Sequence, residues 1–267
     1  MTHYLFFDVD GTLIPFGKDL PADTLQAVRQ AREKGSRLFL ATGRSPAELD
    51  PRLAAISFDG GVYSGGARAF AEGKDIYASY FSRQDLDFFI EESQRHGWRI
   101  LLQCDSQSYY AGDFCDLLFS YFYRYIGKPV SIVNLTKLDS LFSVENVTKL
   151  ILLTPEGDME RAHEIFDARF DVLNNTVGVP SSLMSEVCQK NVNKGRAMLE
   201  VLRYYNAGRE SSIAFGDGAN DYEIIQMAGL GIAMGNADET LKQLASYVTA
   251  DCDDDGIGKA LRHFGVI

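Results

Sequence analysis

Short apolar runs that end in acidic, hydroxyl-bearing or glycine-rich turns, each beside a segment of helical periodicity, recur at both ends of this chain. Residues 4–9 (YLFFDV) set the pattern, being too few and too apolar for an amphipathic helix and so predicting a buried central strand. Residues 23–34 then place Leu25, Val28 and Ala31 on one helical face, with Gly35 positioned to stop the helix. Residues 37–41 (RLFLA) predict a second strand. After it, Ser45-Pro46-Ala47-Glu48 has the form of a capping box with proline at the first helical position, which predicts a helix start. The alternation returns near the other end as helices over 192–205 and 221–228 and strands over 212–215, 231–234 and 247–249. Strands joined by crossover helices make a parallel sheet, so the fold class is α/β with a Rossmann-like parallel-sheet core.

The middle of the chain has another character. Helical patterns over 82–96 and 156–170 alternate with strand-like runs over 99–103, 150–153 and 183–187, and aromatics gather at Tyr109, Tyr110, Phe114, Tyr121, Phe122, Tyr123 and Tyr125. Such a segment carries its own core, with the 121–125 run read as packing. The expected organisation is a discontinuous core domain of 1–81 and 188–267 interrupted by an α+β domain over 82–187, built on one open sheet.

Composition narrows the function. With 26 Lys and Arg against 37 Asp and Glu, the formal charge of −11 opposes a polyanion, so no nucleic-acid partner is expected. No apolar run reaches the length of a membrane span, and Met1-Thr2-His3-Tyr4 has no signal-peptide character, so the expectation is a cytoplasmic protein with no membrane association. Cys104, Cys115, Cys188 and Cys252 form no CxxC pair and suggest neither zinc nor a disulfide framework. No protein partner is implied.

Four pieces stand at strand ends or helix starts: Asp8-Val9-Asp10-Gly11-Thr12, Thr42-Gly43-Arg44, Lys194-Gly195, and Gly216-Asp217-Gly218-Ala219-Asn220-Asp221. In an open α/β sheet, ligands bind beyond the carboxyl ends of the strands, so these pieces are expected to meet in one crevice. Four carboxylates there would repel one another without a cation, and hard oxygen donors select Mg²⁺. The hydroxyls of Thr12 and Thr42, the Lys194 ammonium and the Asn220 amide suit the non-bridging oxygens of a phosphate. Phosphoryl transfer follows as the reaction class, with one of the pair Asp8 and Asp10 attacking phosphorus and the other handling protons.

These motifs, in this order, resemble those of the haloacid dehalogenase-like (HAD) hydrolases. The position and length of the insert resemble the type IIB cap of the Cof-like phosphatases. The resemblance implies a cytoplasmic, Mg²⁺-dependent phosphomonoesterase acting on a small molecule. Within it, Asp8 is the expected nucleophile and Asp10 the general acid and base. Mg²⁺ would be held by Asp8, the Asp10 backbone carbonyl and Asp217, with Asp221 in support, and phosphate by Thr42, Gly43, Lys194 and Asn220. The chain departs from that group at Gly65-Gly66-Ala67, where Asn-Gly-Ala is common.

Several signals are set aside. A calcium loop starting at Asp8 would need glycine where Leu13 stands, and one starting at Asp251 would need a bidentate glutamate where Arg262 stands. Gly229, Gly231 and Gly235 have the wrong spacing and flank a strand instead of opening a helix, so they are no dinucleotide fingerprint. Lys194 alone would read as an exposed helix lysine, and Arg44 either as a functional member of the Thr42-Gly43-Arg44 piece or as a structural ion-pair partner. The leading expectation is a phosphatase for a small phosphorylated metabolite, with a sugar phosphate as the expected substrate. The alternatives are a phosphohexomutase, which needs cations in the insert such as Arg83, Arg95, Arg99, Arg124 and Lys128, or a catalytically silent phosphate-binding protein.

Overall fold

The computed structural model describes residues 2–127, 134–175 and 177–267; Lys128, named above, lies outside them. The chain divides into two compact units, Met1–Arg44 with Leu49–Ala78 and Asn193–Ile267, and Ser45–Glu48 with Ser79–Val192.

The first unit opens with β1 (Tyr4–Phe7), α1 (Ala22–Glu33), β2 (Arg37–Ala41) and β3 (Gly60–Tyr63), followed by the antiparallel β4 (Arg68–Ala71) and β5 (Lys74–Ala78). The second unit contributes α2 (Arg83–Arg95), β6 (Arg99–Gln103), β7 (Ser108–Tyr110), α3 (Phe114–Tyr121), β8 (Leu135–Lys137), β9 (Lys149–Leu153), α4 (Met159–Phe166), β10 (Phe170–Asn174) and β11 (Met184–Gln189). The first unit then resumes with α5 (Lys194–Tyr204), β12 (Ser212–Gly216), α6 (Tyr222–Met227), β13 (Leu230–Ala233), α7 (Glu239–Leu244), β14 (Tyr247–Val248) and α8 (Gly256–His263).

Among the described residues of the first unit one sheet runs β14-β13-β12-β1-β2-β3-β4-β5, parallel from β14 to β3. Side chains alternate across a strand, and β1 is buried on both sides. Leu5 and Phe7 pack with Val28 of α1 and Ile257 of α8, while Phe6 joins Phe39, Met198 of α5 and Ile224 of α6. Because β1, β2 and β12 are parallel, Asp8, Thr42 and Asp217 leave the same edge of the sheet.

One expectation, for the segment that follows β2, is corrected. Ser45 starts no α-helix; Pro46–Glu48 is a single 3-10 turn, in which Glu48 Oε2 accepts the Ser45 N–H at 3.0 Å. Asp50 is extended, as a residue before proline must be, and a second 3-10 turn, Pro51–Ala55, begins afresh. The edge strands β3 to β5, α7 and α8 had no sequence-based expectation.

The second unit is an open sheet in the order β10-β11-β9-β6-β7-β8, antiparallel except between β7 and β8. One core joins Phe89 of α2, Phe166 of α4 and Phe170 of β10, and a second joins Phe114 and Leu118 of α3 to Leu101 and Leu153. The helix expected over 156–170 is shorter. A 3-10 turn at Pro155–Gly157, with Gly157 at φ +81°, precedes α4, and Phe170 pairs with Gln189 as a strand residue. Of the aromatic run, Tyr121 and Phe122 are buried in the core, but Tyr123 is 79% exposed and Tyr125 is also exposed. The unit's limits at 79 and 192 lie slightly outside the expected 82–187, since Phe81 packs in this core and β11 extends to Gln189.

Candidate active site

Asp8, Asp10, Thr12, Thr42, Gly43, Arg44, Lys194, Asp217, Asn220 and Asp221 all belong to the first unit. Asp8 leaves β1 with its N–H donating to the Phe215 carbonyl of β12 at 3.1 Å, which fixes its backbone beside the Gly216–Asp221 turn. Lys194 is the first residue of α5, whose N-terminus is capped by the Asn193 side chain accepting the Arg196 N–H at 2.9 Å. From there the Lys194 ammonium donates to Oδ1 of Asp8 and Oδ1 of Asp221, each at 2.7 Å. Lys194 is 1% exposed, so the expectation that it serves as more than a surface lysine has a geometric basis. Oδ2 of Asp221 accepts the N–H groups of Asp217 and Gly218 at 3.1 and 3.2 Å, and the Thr12 hydroxyl donates to Asp217 Oδ1 at 2.9 Å.

Oxygens of Asp8, Asp217 and Asp221 lie within 4.8 Å of one another. One ammonium serves three carboxylates, so in the ionised state two negative charges stay uncompensated. Burial, followed by the Asp221 charge, pushes Asp217 up to about 7. Asp8 is also raised well above the usual carboxylate range by burial, against the opposing pull of Lys194. An all-oxygen donor set short of two positive charges fits a hard dication.

The fourth carboxylate stands apart from this cluster. Asp10 takes a two-point ion pair from Arg44, with Nε at 2.8 Å and Nη2 at 2.6 Å, so of the two readings of Arg44 the structural partner is the one its contacts support. Thr42 is buried; its Oγ1 accepts the Arg44 N–H at 3.1 Å and its carbonyl accepts Gly65 N–H at 3.1 Å. Gly43 lies between Thr42 and Arg44, and Asn220 is half-buried in the 3-10 turn Ala219–Asp221. Gly65 sits at φ +66° and ψ +16°, the left-handed region that asparagine tolerates best after glycine, so backbone conformation alone permits either residue there. Gly66, at φ +107°, lies so close to the Asn193 carbonyl that a Cβ would collide with it. One residue escaped the sequence reading: Asn236, whose side chain reaches the Gly11 carbonyl. Its place in a Met-Gly-Asn turn after a strand was the only available signal.

The sequence profile of haloacid dehalogenase-like hydrolases matches residues 5–261. The chain belongs to this family. Among its relatives, the 5-amino-6-(5-phospho-D-ribitylamino)uracil phosphatase YcsE of Bacillus subtilis (strain 168) is 27% identical over 263 residues, covering 96% of this chain and 93% of that protein. The HMP-PP phosphatase of Escherichia coli O157:H7 is 27% identical over 284 residues, covering 99% and 96%. A solved HAD subclass IIB sugar phosphatase superposes with a TM-score of 0.83 at 27% identity over the whole of both chains. This HAD-like hydrolase is therefore an enzyme of the phosphatase class, with the α/β fold of subclass IIB. No helix among its described residues is long and apolar enough to cross a membrane.

Proposed function

We propose that this HAD-like enzyme is a cytoplasmic, Mg²⁺-dependent phosphatase that hydrolyses a small phosphorylated metabolite, a sugar phosphate, through an aspartyl-phosphate on Asp8. The observation that carries the reading is the Lys194 ammonium held between Asp8 and Asp221, in a carboxylate cluster two positive charges short. The subclass IIB sugar phosphatase, alike in fold and spanning the same length, supports the substrate class.

In this mechanism Asp8 attacks phosphorus in line; Lys194 opposes the rise that burial imposes on its carboxyl, and a bound dication would complete its ionisation. Asp10 gives a proton to the leaving oxygen, then takes one from the water that attacks the acyl-phosphate. Arg44 fixes the direction of the Asp10 carboxylate. The Thr42 oxygen already accepts a hydrogen bond, so its own proton is free for a phosphate oxygen; Gly43, Lys194 and Asn220 complete the phosphate site. Mg²⁺ would be held by Asp8, the Asp10 carbonyl and Asp217, supplying charge neutralisation. Asp221 already accepts three hydrogen bonds and so supports the Asp217 turn. The insert acts as the cap. Of the insert cations named for a mutase, the described ones have local partners, Arg83 with Asp87, Arg95 with Glu92, Arg99 with Asp113 and Arg124 over Tyr125, which favours hydrolysis over a mutase that must grip a second phosphate.

The test is phosphate release from a panel of phosphorylated metabolites with Mg²⁺ and with chelator. Mg²⁺-dependent release favouring sugar phosphates is expected. Isomerisation without release would favour the mutase, and binding without turnover the silent protein.

A further inference from the structure

We propose that Asn236 is a positioning residue, a side-chain clip that fixes the turn bearing Asp8 and Asp10 against the turn bearing Asp217; its catalytic consequence rests on the phosphatase reading above. Asn236 follows β13. Its Nδ2 donates to the Gly11 carbonyl at 2.8 Å, and its Oδ1 accepts the Cys252 N–H at 2.9 Å. Two residues on, the Asp238 N–H donates to the Asp217 carbonyl at 3.0 Å. One short segment therefore ties down the main chain of both acid-bearing turns.

Gly11 is where such a tie has most effect. It sits at φ +86°, so near the Asp217 carboxylate that a Cβ would collide with it. A small displacement of Gly11 changes the spacing of Asp8, Asp10 and Asp217 together. The acidic segment 251–255, rejected above as a calcium loop, has a part in this arrangement. Cys252 completes the clip, while the neighbouring Asp253–Lys18 ion pair is exposed and lies outside it. Asparagine suits the position because a primary amide offers donor and acceptor on one planar group. Aspartate has only acceptors and would set a carboxylate against the Gly11 carbonyl.

Asn236 is exposed, so its effect should be local and not on global stability. The experiment compares full-length wild type, N236D and N236A, with K18A as a control. Hydrogen exchange is followed in peptides spanning residues 8–18, and Mg²⁺-supported turnover of p-nitrophenyl phosphate is measured. N236D keeps the acceptor for Cys252 and loses the donor to Gly11. The clip predicts faster exchange around Gly11, Leu13 and Ile14 and a kcat lower by about ten- to a hundredfold, with KM within about twofold, in both Asn236 variants. K18A should keep wild-type kcat.

Wild-type kcat and exchange in N236D would overturn the proposal. So would a raised KM at unchanged kcat, which would make Asn236 a substrate contact. If N236D does not fold, N236A carries the comparison, and failure of both to fold would replace the local clip with a global structural role. A wild type inactive on every phosphomonoester would defeat the phosphatase reading, while the exchange data would still decide the clip.

Discussion

Arg44 closes a fork on Asp10, with its Nε 2.8 Å from one carboxylate oxygen and its Nη2 2.6 Å from the other. Planar two-point pairing fixes where a carboxylate points, which a lysine point charge does not. If Asp10 moves protons, the fork governs proton transfer and not phosphate binding.

R44K should therefore lower turnover of sugar phosphates, whose leaving oxygen needs a proton, by about tenfold or more. An activated aryl phosphate should be affected much less. Parallel kcat measurements on both substrate types check this. Equal losses on the two would instead assign Arg44 to the substrate phosphate.

The two aspartates of the first motif should separate by mass. After rapid acid quench with an activated phosphoester, Asp10→Asn should carry one added phosphoryl group and Asp8→Asn none. Asp10→Asn should turn over about a hundred- to ten-thousand-fold more slowly than wild type. A phosphorylated Asp8→Asn protein would remove Asp8 as nucleophile.

Mg²⁺ binding should strengthen with pH. Without metal, Asp217 holds its proton up to about pH 7, and Asp8 is shifted in the same direction. A bound dication must displace these protons, so affinity should fall about tenfold per pH unit below 7 for each proton displaced. The same shifts set stability. Over the range from the ordinary carboxylate value to about 7, the folded metal-free protein binds more protons than the unfolded chain, so its stability falls as pH rises. Melting temperatures between pH 5 and 8 should show this decline without metal and a Mg²⁺-induced gain that grows with pH. A pH-independent gain would separate the metal from Asp217.

Lys194→Met should destabilise the metal-free protein. It strips the ammonium from two buried carboxylates, a change that typically costs about 3–5 kcal/mol. Part of the loss should return at low pH, where Asp8 and Asp217 are protonated, and part with Mg²⁺. Denaturant melts with and without the ion measure this. A variant as stable as wild type at pH 8 without metal would show that Lys194 does not balance the cluster.

The sequence by itself determined the phosphatase family and most of the parallel-sheet framework that carries its motifs. Strand ends such as Asp8-Val9-Asp10-Gly11-Thr12 are legible because both the apolar run that buries a strand and the polar residues that leave it lie within a few residues. The same locality exposed α2, with its Ser82 cap, and the β6 strand over Arg99–Gln103. Where local signals conflict, tertiary structure decided. Gly60 and Gly61 are poor strand formers, yet they sit in β3 because the neighbouring strands hold them there. The capping box at Ser45 lost to the proline that follows it at 51. Within the site, nothing local could pair Asp8 with Lys194 across a separation of 186 residues, turn Asp10 toward Arg44, or bring Asn236 to Gly11. Those pairings depend on which strands lie side by side and on how closely the backbone approaches at Gly11. Both are properties of the assembled sheet, not of any one segment of it.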